Sequence, residues 1–313
     1  MLRQNCFPAT ALVLGIWYFD PTSMKGEAPS LVPALVRQGH GAGPELVLFP
    51  MVGAEVAVPF PSWSENLTVG EFSLDGRAVF MLHGADGIAM IEFSPARQTL
   101  IPGTRGFKSL WRLTQTQESR QIFVSGILQT ARGTECGTYA ISGVDGEPPR
   151  ALLAGAFPEC GGGGGAVSPD GTEVLGSSGG NLCRINLKDG TVDVVAGVGG
   201  LGRGDVAWFR KVAWSPDGRW IVALANGRIV LINAQERSRP KDLGVSGSGT
   251  VSWSPDSKYL LLNKRCRAFF GYFESLETLD GGTRWRSEIK NSQCKIGGGW
   301  IGWIDQRILN GLR

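Results

Sequence analysis

Residues 213–224 read AWSPDGRWIVAL. A Ser-Pro-Asp-Gly step separates an apolar lead-in from an apolar run. Pro216 pre-sets φ for the second position of a type I turn. Asp217 can accept from nearby backbone N–H groups, and Gly218 takes the positive φ with which the chain leaves the turn. The residues that follow, RWIVAL, suit a well-buried strand. The phrase therefore reads as a joint between two strands.

The same joint is written again as AVSPDGTEVLGS at 166–177 and SWSPDSKYLLLN at 252–263. Clear copies begin at Ser168, Ser215 and Ser254. Looser copies begin at Ser73 (SLDG before RAVFML), Thr116 (TQES before RQIFV) and Trp303 (WIDQ before RILNGL). The anchors lie 43, 52, 47, 39 and 49 residues apart. An irregular period of about 40–50 residues is the length of one four-stranded propeller blade. The second half of each period carries a further hairpin, clearest around Lys-Asp-Gly in RINLKDGTVDVVA at 184–196. Gly-rich links then follow, at 161–165, 197–204 and 246–249.

The expected fold is all-β, a β-propeller of four-stranded antiparallel blades in a single domain over 1–313. Six blades follow from the anchors; seven is the alternative from length alone. The last repeat stops after its first strands, so N- and C-terminal strands are expected to share a closing blade. Residues 1–60 would complete that blade, with GIWYFDPTSMKGEAPSLVPA at 15–34 as a second-half hairpin and 46–60 (LVLFPMVGAEVAVPF) as an extra one. Residues 61–313 hold the repeats. On this reading ALVLGIWYF at 11–19 is a strand. It is too short to span a bilayer, and no small-x-small cleavage site follows it.

The W-S-P-D-G-[RK] phrase before an apolar strand resembles the TolB-type, or WD-like, propeller repeat, over residues 60–313. The turn residues carrying the resemblance are Ser168, Pro169, Asp170, Gly171, Ser215, Pro216, Asp217, Gly218, Ser254, Pro255 and Asp256. The resemblance implies a non-enzymatic propeller used as a binding platform in a bacterial envelope or secreted protein. The family also includes gating propellers of prolyl-peptidase-like enzymes. TolB itself has a preceding α/β domain that this chain does not supply, so TolB's own role is not carried over.

Composition narrows the chemistry. A net charge of +3 over 313 residues gives no reason to expect nucleic acid, and the basic runs at 237–241 and 264–267 read as solvated loop ends. Two histidines and six cysteines without a C-x-x-C pair make no metal centre, and no cofactor is expected. GVGGLG at 197–202 lacks the helix a dinucleotide site needs. GSSGG at 176–180 lacks a later histidine to serve as base and reads as a turn. Cys136 and Cys266 stand before third-strand runs, and Cys160 and Cys294 stand in inter-blade links. Those connections share a propeller face, so Cys136–Cys160 and Cys266–Cys294 are candidate staples. Cys183 shares the repeat position of Cys136 and is either free or the alternative partner of Cys160. Disulfides would imply an oxidising compartment, periplasmic or extracellular; reduced thiols would fit a cytoplasmic one.

The expected partner is a protein or small ligand on the face of the Gly-rich links, met by Arg105, Phe107, Phe157, Arg203, Asp205, Trp208 and Lys295. Trp214 and Trp253 are expected to space the blades, while Trp208, Trp285 and Trp300 could meet a ligand. No transmembrane segment is expected, and the chain should be a monomer. The alternative is a propeller hydrolase or lyase with acid and base in the central channel, for which Asp205 and Glu159 are candidates. It would require several ionisable groups from different blades to converge there.

Overall fold

The computed structural model describes residues 31–38, 44–48, 56–59, 67–83, 86–93, 95–116, 121–142, 147–154, 165–178, 181–197, 209–236, 240–246, 251–267, 270–277, 283–289, 300–305 and 307. These form a β-propeller, and among them the strands group into six four-stranded antiparallel sheets.

One sheet runs β4 (Leu67–Phe72), β5 (Ala78–His83), β6 (Gly87–Phe93), β7 (Ala96–Leu100). The next runs β8 (Phe107–Gln115), β9 (Ile122–Thr130), β10 (Gly133–Ile141), β11 (Arg150–Ala154). The third holds β12 (Ala166–Val167), β13 (Glu173–Ser178), β14 (Asn181–Asn186), β15 (Val192–Gly197). The fourth holds β16 (Phe209–Trp214), β17 (Trp220–Ala225), β18 (Arg228–Asn233), β19 (Lys241–Ser246). The fifth holds β20 (Val251–Trp253), β21 (Tyr259–Arg267), β22 (Phe270–Glu277), β23 (Thr283–Ile289). The sixth joins the two ends of the chain in the order β24 (Trp300–Asp305), β1 (Leu31–Gln38), β2 (Pro44–Leu48), β3 (Val56–Pro59).

The segment expected as an extra hairpin thus belongs to the same sheet as the C-terminal strand. Its register is fixed by pairing from Leu31–Asp305 to Val36–Trp300 on one side of β1 and from Ala34–Leu48 to Gln38–Pro44 on the other. Residues 15–30 lie outside the described residues. The tract 176–178, expected as a turn, is instead the end of β13. Residues 179–180 lie outside the described residues.

The SPDG phrase closes the first hairpin of a sheet by one repeated device. Ser215 N–H donates to Trp220 O (2.8 Å), and Gly218 N–H donates to Ser215 O (2.9 Å). The Ser215 hydroxyl donates to Asp217 (2.6 Å) and accepts from Trp220 N–H (2.9 Å), while Arg219 N–H donates to Asp217 (3.1 Å). Ser73, Ser168 and Ser254 repeat the Ser-to-fifth-residue bond at 2.9, 2.8 and 2.8 Å. Thr116 N–H does so at 3.0 Å to Gln121 O. Gly218 has φ +70°. Ser257 takes the same place at φ +61°, and its hydroxyl accepts Asp217 N–H from the neighbouring turn (3.0 Å).

The core lies between adjacent sheets. Phe80, Leu82 and Ile88 meet Phe107, Val124 and Tyr139; Leu175 and Leu182 meet Phe209 and Ile221; Val222 and Leu231 meet Trp253 and Leu260. A second strand is covered on both faces by its neighbours, which is why RWIVAL is apolar without alternation and Ile221, Val222 and Ala223 are all buried. The outer β15 has no such cover on one side, and Val192 and Val194 are exposed. First strands neighbour one another in the sequence β24, β4, β8, β12, β16, β20 and back to β24.

Candidate functional site in the central channel

The first strands surround a cavity, about 90 Å³ of it open to water-sized molecules. Its wall includes Glu71, Arg112, Val167, Trp214, Ser252, Trp253 and Trp303, so all six first strands contribute. Pro169, Pro216 and Pro255 of the SPDG turns also line it. The cavity therefore lies at the SPDG end, whereas the sequence reading looked to the opposite face.

Two charged side chains from two sheets meet here. Nη2 of Arg112 on β8 lies 3.3 Å from Oε1 of Glu71 on β4. Lys211 on β16 is not among the residues that line the cavity, yet its charge acts on both. Burial pushes the Glu71 carboxyl above its ordinary value, and Arg112 and Lys211 only partly oppose this. Burial also pulls the Lys211 ammonium down, helped by repulsion from Arg112 and opposed by Glu71. Solvent still reaches 31% of the Glu71 side chain through the channel, so the carboxylate stays wet although protein surrounds it. A screened pair of this kind contributes little stability.

Each of these first strands carries a bulge beside its charge. The register shifts between Thr68 and Gly70 on β4, between Leu110 and Arg112 on β8, and between Arg210 and Ala213 on β16. Lys211 sits inside its bulge at φ +52°, a left-handed conformation unusual for a lysine. Bulges re-aim side chains, and strained backbone of this sort gathers at binding sites. The uncharged first strands β12 and β20 pair without a shift.

The tryptophans split into two kinds. Trp214 Nε1 donates to Ala166 O (3.1 Å) and Trp253 Nε1 to Ala213 O (3.2 Å), each reaching the first strand of the preceding sheet. These are the expected spacers. Trp303 comes one place later in its repeat: Arg307 N–H bonds Asp305 (2.9 Å) as Arg219 N–H bonds Asp217, so Trp303 holds the serine's place and Gly302 the tryptophan's. A Cβ on Gly302 would collide with the Phe72 ring. Trp303 is 7% exposed, lines the cavity, and its Nε1 has no partner.

Of the residues expected at a ligand face, Arg105 is exposed after β7. Phe107 is wholly buried, edge-on to Tyr139 at 5.5 Å between ring centroids, because its strand turns it into the core between two sheets. Phe157, Glu159, Arg203, Asp205, Trp208 and Lys295 lie outside the described residues, as do Cys160 and Cys294, and the side chains of Trp285, Trp300 and Cys266. Cys183 is a buried free thiol whose pKa is raised by burial, which answers the alternative pairing with Cys160. Sequence reasoning missed Glu71, Arg112 and Lys211. Their signal was a charge two residues before the anchor (Glu71, where the other copies have Thr, Ala, Ala, Ser and Ile) or four before it (Arg112 and Lys211, where the others have Val, Gly, Thr and Gly).

No protein-family model matches the chain, and no curated protein matches it. Solved structures do. TolB from Acinetobacter baumannii superposes with a TM-score of 0.62 at 15% identity, over 88% of this chain and 66% of that one. The chain thus spans just under two thirds of that TolB's length. A putative 6-phosphogluconolactonase from Bacteroides uniformis (TM-score 0.49, 13% identity, 88% and 99% covered) is also similar. So is a putative TolB from Agrobacterium tumefaciens (0.48, 11%, 88% and 99%). The last two are too loose to carry an argument. At 15% identity the first is a likeness of fold, and that fold is the β-propeller.

Proposed function

We propose that the chain is a non-enzymatic, TolB-like binding propeller of six blades, its ring closed by the pairing of β24 with β1. It works as a monomeric platform in a bacterial envelope or secreted setting, and a protein partner or small ligand seats in the central channel. The observation that carries the reading is the meeting of Glu71 and Arg112 from two sheets on one cavity walled by all six first strands. Concave sites with a few convergent polar groups are where ligands bind. Arg105, with Phe157, Arg203, Asp205, Trp208 and Lys295, forms a further contact surface at the opposite mouth. Staples Cys136–Cys160 and Cys266–Cys294 belong to the proposal, supported by the engagement of Cys136 in a disulfide while Cys183 stays free. Among the described residues no helix is long and apolar enough to cross a membrane.

A second reading is acid–base chemistry in the channel. It is favoured by the raised Glu71 carboxyl and the lowered Lys211 ammonium, the two directions such chemistry uses. The binding reading stands ahead because Arg112 faces the single carboxylate, and among the described residues no second carboxylate or histidine joins it.

Affinity capture from envelope extracts separates these. Capture should fall at least tenfold for the Glu71→Met/Arg112→Met pair and persist for Val192→Lys on the outer strand. Equal capture by the channel pair would end the channel reading.

A further inference from the structure

We propose that the channel binds an uncharged, polyhydroxylated ring, a neutral sugar, at its SPDG end. This rests on the channel reading above and names its ligand class.

The charges of the wall select a neutral ligand. Among the described residues, Glu71 and Arg112 are the ionisable side chains that line the cavity, and they face each other at 3.3 Å. One charge balances the other, so a free ion gains from one partner what it loses to its neighbour. Solvent still reaches 31% of the Glu71 side chain and 21% of that of Arg112, and among the described residues no hydrogen bond closes on either. The Thr114 and Ser252 hydroxyls line the same space, and no hydrogen bond closes on them among the described residues. The wall therefore sets open donors beside open acceptors with no net charge. An apolar ligand would strip water from these groups and replace none of its hydrogen bonds. Adjacent ring hydroxyls replace them, because each can donate to the Glu71 carboxylate or accept from the Arg112 guanidinium.

The two-sided wall is a second observation. The first strands stand in the ring order β24, β4, β8, β12, β16, β20, so β16 and β20 lie across the channel from β4 and β8. Glu71 and Arg112 belong to β4 and β8. Across from them the wall carries Trp214, Pro216, Trp253 and Pro255, with the Ser252 hydroxyl beside them. Both indole N–H groups are already bonded to backbone carbonyls, so these tryptophans offer ring surface and no free donor. A sugar ring has the same two sides, hydroxyls around its edge and C–H groups on its faces, and C–H groups pack well on aromatic rings. A primary amide also sets a donor beside an acceptor, but it brings no apolar face for the tryptophan side. The space open to water-sized molecules, about 90 Å³, suits one ring.

The test uses the full chain. Sugars at high concentration stabilise folded proteins by being excluded from their surfaces, so binding is read by saturation-transfer NMR and tryptophan fluorescence. The probes are the methyl glycosides of glucose, galactose and mannose, which differ in the arrangement of adjacent hydroxyls. Tetrahydropyran keeps a ring without hydroxyls, and acetate and acetamide are the charged and the amide competitors. At least one glycoside should bind saturably, with transfer to its ring C–H protons, and no competitor should displace it. Glu71→Met/Arg112→Met removes the pair without changing the net charge and should weaken binding about tenfold or more. Thr114→Val/Ser252→Ala leaves the pair in place and should weaken it several-fold. Cooperative unfolding without ligand is the folding control for both. Comparing the bound glycoside with its free sugar tells a glycan end from a free monosaccharide, and either supports the class. Silence of all three glycosides would overturn the proposal, as would displacement by tetrahydropyran, acetate or acetamide, or undiminished binding by the double variants. Envelope capture that still depends on Glu71 and Arg112 while the glycosides are silent sinks this inference and leaves the channel reading standing.

Discussion

Gly76 and Gly218 share a left-handed backbone, at φ +68° and +70°, but not a neighbourhood. A Cβ on Gly218 would meet only Pro169 carbons at 4.0 Å, so Gly218→Ala should cost about 1 kcal/mol for its φ alone. A Cβ on Gly76 would stand 2.8 Å from Asp305 N and 2.9 Å from Trp303 O, backbone that cannot swing away. Gly76→Ala should therefore cost more than about 2 kcal/mol, measured by denaturant unfolding. Equal losses would mean that the contact of this turn with β24 is not tight. Asp305 in the same place makes a pH statement. Burial alone would raise its pKa, but hydrogen bonds from Arg307 at 2.6–3.0 Å and the Arg307 and Arg77 charges hold it below the usual carboxylate value. A lowered carboxylate pKa adds stability that is full above the unfolded value and is lost as pH falls through the folded one. Stability should thus decline below about pH 4, and the decline should be shallower in Asp305→Asn. The turns were legible at this scale because Ser, Pro, Asp and Gly each act on their own backbone. The charges in the channel were not, because a charge on a strand does not say which sheet it will face.

At the scale of the element, the SPDG hairpin is held mainly by its serine. Ser215 is fully buried and its hydroxyl both donates to Asp217 and accepts from Trp220 N–H. Ser215→Ala should cost about 1–3 kcal/mol, because the half-buried Trp220 N–H loses its acceptor. Ser215→Thr keeps the hydroxyl, as Thr116 does, and should recover most of the loss in the same unfolding measurement. A neutral Ser215→Ala would show that the backbone bonds alone hold the turn. Strand placement followed from local residues wherever a turn motif or hairpin bounded the run. The strands at 44–48 and 56–59 do pair as a hairpin, but their place in the closing sheet was not legible, because β1, which pairs with 44–48, pairs on its other side with β24 from the far end of the sequence. The bulges were likewise invisible, since they depend on the register between strands.

For the whole molecule, the repeat that writes the fold also conceals the site. Positions where the copies agree are turns, and positions where they depart supply Glu71, Arg112 and the displaced Trp303. Phe107 shows the limit from the other side: it occupied a plausible link in sequence, yet two sheets close over it. The most direct test of a channel-bound ligand is a thiol footprint. Ser252 lines the cavity, and Thr191 lies exposed between β14 and β15. Cys183 is buried with a raised pKa and should stay silent as a native control. Alkylation rates of Ser252→Cys and Thr191→Cys are compared with and without the captured envelope partner. The account predicts at least tenfold protection at 252 and none at 191; protection at 191 with 252 left reactive would contradict it.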